Sequence, residues 1–497
     1  MFLTRRDLLR QASALSAGAA ARPLCALSVG AAPDPTSARL TLFPDRVGPA
    51  ISPTFIGLGY EVSSVTRPGL FQAEGEYVRL VRALSPRGVI RIGGNTADFA
   101  RFEPHGAPVS TPKGTVVTQA DLDRLRRFLD ATGWQLIWGL NLGSGTGTTQ
   151  VQQAVEEAVA VSTTMGDRLL AVEVGNEPDL FWIEHRPKPY TYEQFRSEFV
   201  RFRDAILQRL PNLPLAGPDV AGATSWVRRF ATDEPENLRL LTHHYYREGQ
   251  NPTSSAAKLL GNDPKLLPQL QELQSVSRAT GLPYRICEVN SFSGGGRPGV
   301  SDTFASALWV LDYMLLLATY GCSGVNLETG VNQLGFVSSY SPMYETGSVG
   351  LIARPELYGM LAFCQATQAT QANAARSHVV DCELEAGGLN VTAYAIRRAD
   401  SHAVVLINKE ADTDVTIAFR VARSGPVPEI SSYTLCTLTA DGLGATSGVK
   451  LCGKDPFAVP KRGERIWIMD GAVPTLRGGA GPIRVQAGSA TLISLSF

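Results

Sequence analysis

The stretch LLAVEVGNEP, residues 169–178, decides how the rest of the chain is read. Its first seven residues are apolar apart from Glu173, which suits a strand buried on both faces, as in a parallel sheet covered by helices. Polarity then arrives at once. Asn176 and Glu177 stand where such a strand leaves the core at its carboxyl end, and Pro178, with no N–H to donate, cannot extend the ladder. In a closed (β/α)8 barrel that end is the face on which active sites are built. Taken alone, Asn-Glu-Pro is equally a polar turn after a strand, so the surrounding chain has to choose between the two readings.

Working outward, further apolar runs of strand length lie at 55–62, 89–94, 135–143, 213–220, 240–246, 283–291 and 324–330. They alternate with helical patterns near 73–84, 120–132, 150–165, 191–210, 224–232, 264–280, 301–319 and 355–367. The helix over 191–210 is the clearest. Phe195, Phe199, Phe202, Ile206 and Leu210 recur at three- and four-residue steps, Thr191 with Gln194 makes a capping-box pattern, and Pro211 ends it. Eight strands alternating with eight helices predict an α/β fold, a (β/α)8 TIM barrel over residues 53–367. No glycine-rich phosphate loop follows the first strand, so a dinucleotide-binding sheet lacks its fingerprint. From about residue 370 the pattern changes to short β-rich runs at 389–396, 403–407, 415–421 and 490–495, separated by Gly, Asp and Pro turns. This predicts a C-terminal all-β sandwich over 370–497. A strand at 39–47, within the segment 38–50, precedes the barrel and needs a sheet partner, so it is expected to join the sandwich.

Composition limits the functions open to the chain. With 497 residues, 44% hydrophobic and 19% charged, it reads as a soluble globular protein of two domains. No stretch reaches the ~18 to 20 uninterrupted apolar residues of a membrane span. Thr4-Arg5-Arg6-Asp7-Leu8-Leu9-Arg10, followed by an Ala/Ser/Gly-rich weakly apolar stretch, predicts a twin-arginine-type export signal over residues 1–32 and a periplasmic or secreted protein. Leu24 stands where a lipoprotein anchor at Cys25 would require a small residue. Removing 1–32 takes away four arginines and one aspartate, which leaves 42 basic against 45 acidic residues. That balance argues against nucleic acid and against long sulfated chains as partners.

Of the seven cysteines, Cys287, Cys322 and Cys364 lie in apolar, barrel-like segments and read as small buried hydrophobes. Cys436 and Cys452 share the strand-rich tail and are free to pair in an oxidising compartment, although spacing does not settle connectivity. No Cys/His spacing suggests zinc, and the neighbours His243 and His244 point to opposite faces of a strand, so neither a metal nor another cofactor is expected.

The acid at the end of the fourth strand has a counterpart. The seventh run, Pro283-Tyr284-Arg285-Ile286-Cys287-Glu288-Val289-Asn290, again delivers a glutamate from an apolar strand. Retaining glycosidases need two carboxyl groups ~5 to 5.5 Å apart, one protonated for the leaving group and one ionised to attack the anomeric carbon. Glu177 and Glu288 supply such a pair across a barrel mouth. Glu61, Asn95, Asp98 and His244-Tyr245-Tyr246 lie at the same strand ends, where carboxylates, amides and phenols would line a carbohydrate site.

Asn176-Glu177-Pro178, with a glutamate closing the seventh strand, resembles the retaining (β/α)8 glycosidases. Closer still, FIGLGYE (55–61), RIGGNTAD (91–98), THHYY (242–246) and EVNSFSGGG (288–296) resemble glycoside hydrolase family 79, which holds bacterial β-glucuronidases and heparanases. The resemblance implies that Glu177 is the acid/base and Glu288 the nucleophile. It further implies that Asn176 binds the sugar 2-hydroxyl, that Tyr245 orients the nucleophile, and that Glu61 and Asn95 hold ring hydroxyls. Gly295 and Tyr340 would lie near the sugar carboxylate, with Tyr344 as the alternative tyrosine. Ser293 departs from the family, whose members often carry an aromatic residue there. The implied activity is exo-β-glucuronidase. A heparanase-like endo-enzyme and a non-catalytic carbohydrate-binding barrel are the alternatives.

Overall fold

The computed structural model describes residues 36–330, 337–346, 350–368, 377–422, 430–457, 475–477 and 481–497. The predicted export signal, Cys25 and part of the loop after the eighth barrel strand lie outside the described residues. Eight parallel strands close into a barrel in chain order. They are Gly57–Glu61 (β1), Val89–Gly93 (β2), Gln135–Leu140 (β3), Leu169–Val174 (β4), Leu215–Val220 (β5), Leu238–Tyr246 (β6), Tyr284–Asn290 (β7) and Val325–Glu328 (β8). Each begins inside an expected run or within two residues of it, because a strand buried on both faces has no polar face to blur its limits.

The helix Tyr192–Arg209 shows the local physics most directly. Thr191 accepts from the Gln194 amide, and the Gln194 side chain accepts in return from the Thr191 N–H, so two of the orphan donors at the helix start are satisfied. Phe195, Phe199, Phe202 and Ile206 are buried against the barrel, as their spacing requires. A second capping box, Thr118 with Asp121, starts the helix Gln119–Thr132. The short helix Ala256–Leu260 was not anticipated: five residues carry too little periodicity to be read.

Inward-facing side chains stack in layers, each two residues further along its strand. At the amino-terminal end Arg285 donates to Asn326 Oδ1 at 2.6 Å and to the carbonyls of Thr54 and Val325 at 3.0 and 2.6 Å. Gly57 makes room for it, since a Cβ there would lie 2.5 Å from Arg285 Nη2. Above this lies an apolar ring of Val89, Ile137, Ala171, Ala216, Leu240 and Cys287. Two residues on from Val89, Ala171 and Leu240 come Arg91, Glu173 and Thr242, so the carboxyl-terminal end of the barrel becomes polar.

The C-terminal region forms a ten-stranded sheet. Ser37–Ala50 lies within it, antiparallel to His378–Glu385 and parallel to Val415–Val421. In the strand His402–Asn408 every residue from Ala403 to Asn408 is buried. Ala403, Val405 and Ile407 join the cluster that includes the helices Phe304–Thr319 and Pro355–Thr367. Val404 and Leu406 instead meet Val415, Ile417, Ile483 and Val485 in a separate core, so the sheet folds over on itself as a sandwich. This two-sided burial explains why the helix Phe304–Thr319 is apolar nearly all round: it is covered by barrel and sheet together. Asp312 stitches the contact, accepting from Thr392, Tyr394 and Lys409 at 2.7 Å each. Cys436 and Cys452 are joined in a disulfide, while Cys287, Cys322 and Cys364 are free and buried. Among the described residues no helix is long and apolar enough to cross a membrane.

Candidate active site

β4 is followed by Gly175, with φ of 85°, and by Glu177, whose φ of 50° and ψ of 52° lie in the left-handed region that a non-glycine residue seldom occupies. Pro178 then opens a 3₁₀ turn. The turn is held from both sides. The Glu177 N–H donates to the Asp219 carbonyl at 2.8 Å, and the Asn176 N–H to Asp98 Oδ2 at 3.1 Å. Asp98 also accepts from the amides of Leu142 and Gly143 at 3.1 and 2.8 Å. It is therefore a brace for two loops.

At the centre is Arg91, fully buried on β2. Its guanidinium donates to Glu173 Oε2 at 3.0 Å, Glu288 Oε2 at 2.9 Å, Asn176 Oδ1 at 2.8 Å and Asp219 Oδ2 at 2.5 Å. Burial opposes its charge, but Asp219, Glu173 and Glu288 outweigh that and hold its pKa well above the usual value. His244 forms the second hub. One ring nitrogen lies 2.9 Å from Glu177 Oε1 and the other 2.7 Å from Asp219 Oδ1. Burial again works against the charged ring, yet Asp219 and Glu288, with the hydrogen bonds to Asp219 and Glu177, raise its pKa well above the ordinary range. Burial acts on Asp219 in the opposite sense, and Arg91 and His244 overcome it to hold that acid low.

Glu288 reaches the site through an irregularity. β7 pairs in register with β6 at Ile286 and His243, then slips so that Glu288 lies opposite His244. The extra residue turns Glu288 inward beside Cys287, which is what a bulge at a barrel rim does. Its Oε1 accepts from the Tyr246 phenol at 2.9 Å. Glu177, His244 and Glu288 each place one oxygen or nitrogen within 4.8 Å of the others. Burial, reinforced by Glu288, raises the pKa of Glu177 despite its bonds to His244.

The expectation for Tyr245 is corrected. Its hydroxyl donates to Asp263 at 2.8 Å and its ring stacks on Tyr313 at 5.0 Å, on the outer face of β6. Parity decides this: Leu240, Thr242, His244 and Tyr246 face in, so Tyr245 faces out and Tyr246 reaches Glu288. His243 shares the outward parity, and burial pulls its pKa down to about 4.

The other candidates are placed as follows. Glu61 accepts from the Asn95 and Thr96 amides at 3.2 and 2.7 Å, and burial, with Glu288 second, raises its pKa to about 7. Asn95 is exposed, and its Oδ1 lies 3.4 Å from Asn176 Nδ2. The Gly295 carbonyl accepts from the Ser339 amide at 2.6 Å, tying the β7 loop to the segment that carries Tyr340. Tyr340 is buried with its ring 6.2 Å from that of Tyr246, whereas Tyr344 lies under the Arg354 guanidinium. Arg91, Glu173, Asp219, Tyr246 and Glu328 were not assigned roles from sequence. One signal was present: VIRIG, LLAVEV and LAGPDV each carry a charge inside an otherwise uncharged strand of the core, and such charges, once buried, must pair.

Among the described residues two groups offer metal-ligand atoms within 4.8 Å of one another, Glu173 with Asp219 and Cys287, and Glu177 with His244 and Glu288. Arg91 is bonded to both groups and opposes a cation there, and a protonated His244 has no lone pair to give.

The chain is 27% identical to a β-glucuronidase of Aspergillus niger over 276 residues, covering 49% of this chain and 51% of the fungal one. The resemblance to glycoside hydrolase family 79 is borne out. Mouse heparanase is 26% identical over 365 residues, covering 60% of this chain and 67% of its own. The chain thus spans about half the length of the fungal β-glucuronidase it matches. No family model matches it. Among solved structures, a 4-O-α-L-rhamnosyl-β-D-glucuronidase of Fusarium oxysporum superposes with a TM-score of 0.73 at 19% identity, covering 92% of this chain and all of that one, which establishes a common fold.

Proposed function

We propose that the chain is a retaining exo-β-glucuronidase acting by double displacement. The observation that carries the reading is the approach of Glu177, His244 and Glu288 to within 4.8 Å, the separation that direct attack requires and too short to leave room for a water between two carboxyl groups. Glu288, held by Arg91 and Tyr246, attacks the anomeric carbon. The Glu177–His244 pair supplies the proton to the departing oxygen. Once Glu288 is an ester its charge is gone, the pKa of Glu177 falls, and Glu177 takes a proton from the incoming water. Asn176, fixed through its side-chain carbonyl by Arg91 and donating one amide hydrogen to Asn95 Oδ1, has its second amide hydrogen for the sugar. The two relatives above, a β-glucuronidase and a heparanase, support a glucuronide as substrate. On this reading residues 53–367 are the catalytic unit, 38–50 and 370–497 the sandwich behind it, and 1–32 a twin-arginine export signal.

Purified protein is expected to release the aryl group from an aryl β-D-glucuronide with retained configuration, and Glu288→Gln to lower turnover by orders of magnitude. Turnover of the aryl β-glucoside but not the glucuronide would sink the substrate assignment. Cleavage within heparan sulfate without action on small glucuronides would favour the endo-enzyme, and binding without turnover a non-catalytic barrel.

A further inference from the structure

Glu328 closes β8 at the barrel mouth and is buried, with 4% of its surface exposed. Its Oε2 has no hydrogen-bond partner among the described residues. Glu173 Oε1 is likewise unmet, but Glu173 is bonded to Arg91 through its Oε2, as Asp219 is, and Asp98 accepts three amides. A buried, unmet carboxyl oxygen costs ~1 to 3 kcal/mol or more, so a partner is expected to arrive from outside the chain. The group is also tightly placed. A Cβ on Gly59 would lie 2.8 Å from this oxygen, so only glycine at that position of β1 leaves Glu328 its room.

Its surroundings say what kind of partner would suit it. Glu61 and Tyr60 act on it from β1, Glu288 from β7, Tyr246 from β6 and Tyr340 from the loop after β8, with Arg91 and His244 as the nearby cations. Both cations are already bonded to carboxylates of the site. An anionic sugar entering here must therefore be met by neutral donors. The Tyr340 phenol is one of them, since the Tyr246 phenol already donates to Glu288. A carboxyl group that keeps its proton is another, and burial beside Glu288 and Glu61 holds the pKa of Glu328 well above the usual carboxylate range.

We infer that Glu328 is a specificity-determining residue of the sugar pocket, whose carboxyl group donates a hydrogen bond to the carboxylate on C5 of the bound uronic acid. This rests on the β-glucuronidase reading and names the group that selects the acid. Because the donor form is the protonated one, KM for a glucuronide rises as pH climbs through the ionisation of Glu328, and KM for the matching glucoside does not follow it.

The test uses the full chain with 4-nitrophenyl β-D-glucuronide and 4-nitrophenyl β-D-glucoside across neutral pH, together with calorimetric binding of D-glucuronic acid. Glu328→Leu is expected to raise KM for the glucuronide and Kd for glucuronic acid about tenfold or more, the value of one lost hydrogen bond to a charged group. Glu328→Gln keeps a donor of the same shape. It is expected to hold KM at low pH within about threefold of wild type and to flatten its rise with pH, by the same reasoning. An unchanged KM and Kd in Glu328→Leu overturns the inference. So does an equal rise for glucuronide and glucoside, or an unaltered pH profile in Glu328→Gln. A wild-type protein that turns over the glucoside alone overturns the β-glucuronidase reading itself, and the inference with it.

Discussion

Two arginines, Arg285 and Arg91, lie inside the same barrel, both fully buried, and they do opposite things. Arg285, at the amino-terminal end, is met by an amide oxygen and backbone carbonyls. With no carboxylate bonded to it, burial lowers its pKa to about 10. Arg91, two layers higher, is met by three carboxylates and one amide and is held in its charged form. The first closes the floor of the barrel. The second sets the positions of Glu288, of Asn176 and of Asp219, the acid bonded to His244. The difference shows how one residue type serves stability at one end of a barrel and chemistry at the other, according to whether its partners are neutral or ionised.

The largest effect that would test this division is expected from the arginines themselves. Arg91→Met removes the guanidinium that Glu173, Asp219 and Glu288 share; it should destabilise the fold by ~3 to 5 kcal/mol and reduce glucuronide turnover below detection. Arg285→Met should cost ~3 kcal/mol through unmet acceptors but leave kcat and KM of the folded protein unchanged. Urea unfolding and steady-state kinetics on both variants decide it, and a folded Arg285→Met protein without activity would break the comparison. An intermediate effect separates the tyrosines of β6. Tyr246→Phe removes a hydrogen bond to Glu288 and should lower kcat roughly 10- to 100-fold, while Tyr245→Phe should cost ~1 kcal/mol of stability and spare kcat.

The smallest effect concerns Glu157, a buried acid whose bonded partner, Trp138 Nε1 at 2.8 Å, is neutral as those of Arg285 are. Burial raises its pKa to about 7, only partly offset by the tryptophan. The folded state then binds a proton that the unfolded state has released, so stability falls as pH rises from the ordinary glutamate range to about 7 and levels off above it. The contribution is at most roughly 3 kcal/mol across that window. Urea midpoints measured against pH should slope less in Glu157→Gln than in wild type; parallel slopes would show that Glu157 is ionised throughout.

How much of this was legible from residues alone follows the same line. β1 to β8, the helices between them and the positions of Glu177 and Glu288 are local facts: apolar runs of strand length, capping boxes, and acids at the ends of buried strands. The roles of Arg91, Asp219 and His244 are not local, because each depends on partners contributed by several strands far apart in sequence. Tyr246 lies between the two cases. Its inward parity follows from its neighbours once His244 is known to face in, but which of His243 and His244 faces in is set only when the barrel closes.

The sequence by itself therefore determined the alternating architecture and the positions of Glu177 and Glu288, since periodicity and burial are written into consecutive residues. Only the tertiary structure decided which charges meet. It placed Glu288 inward through a slip in register between β6 and β7. It also gathered Glu173, Asp219 and Glu288 around one guanidinium and left an oxygen of Glu328 unmet among the described residues. The physical reason is that hydrophobic burial is non-directional and follows pattern, whereas a buried ion pair requires particular atoms within about 3 Å, a condition that closure of the barrel alone imposes.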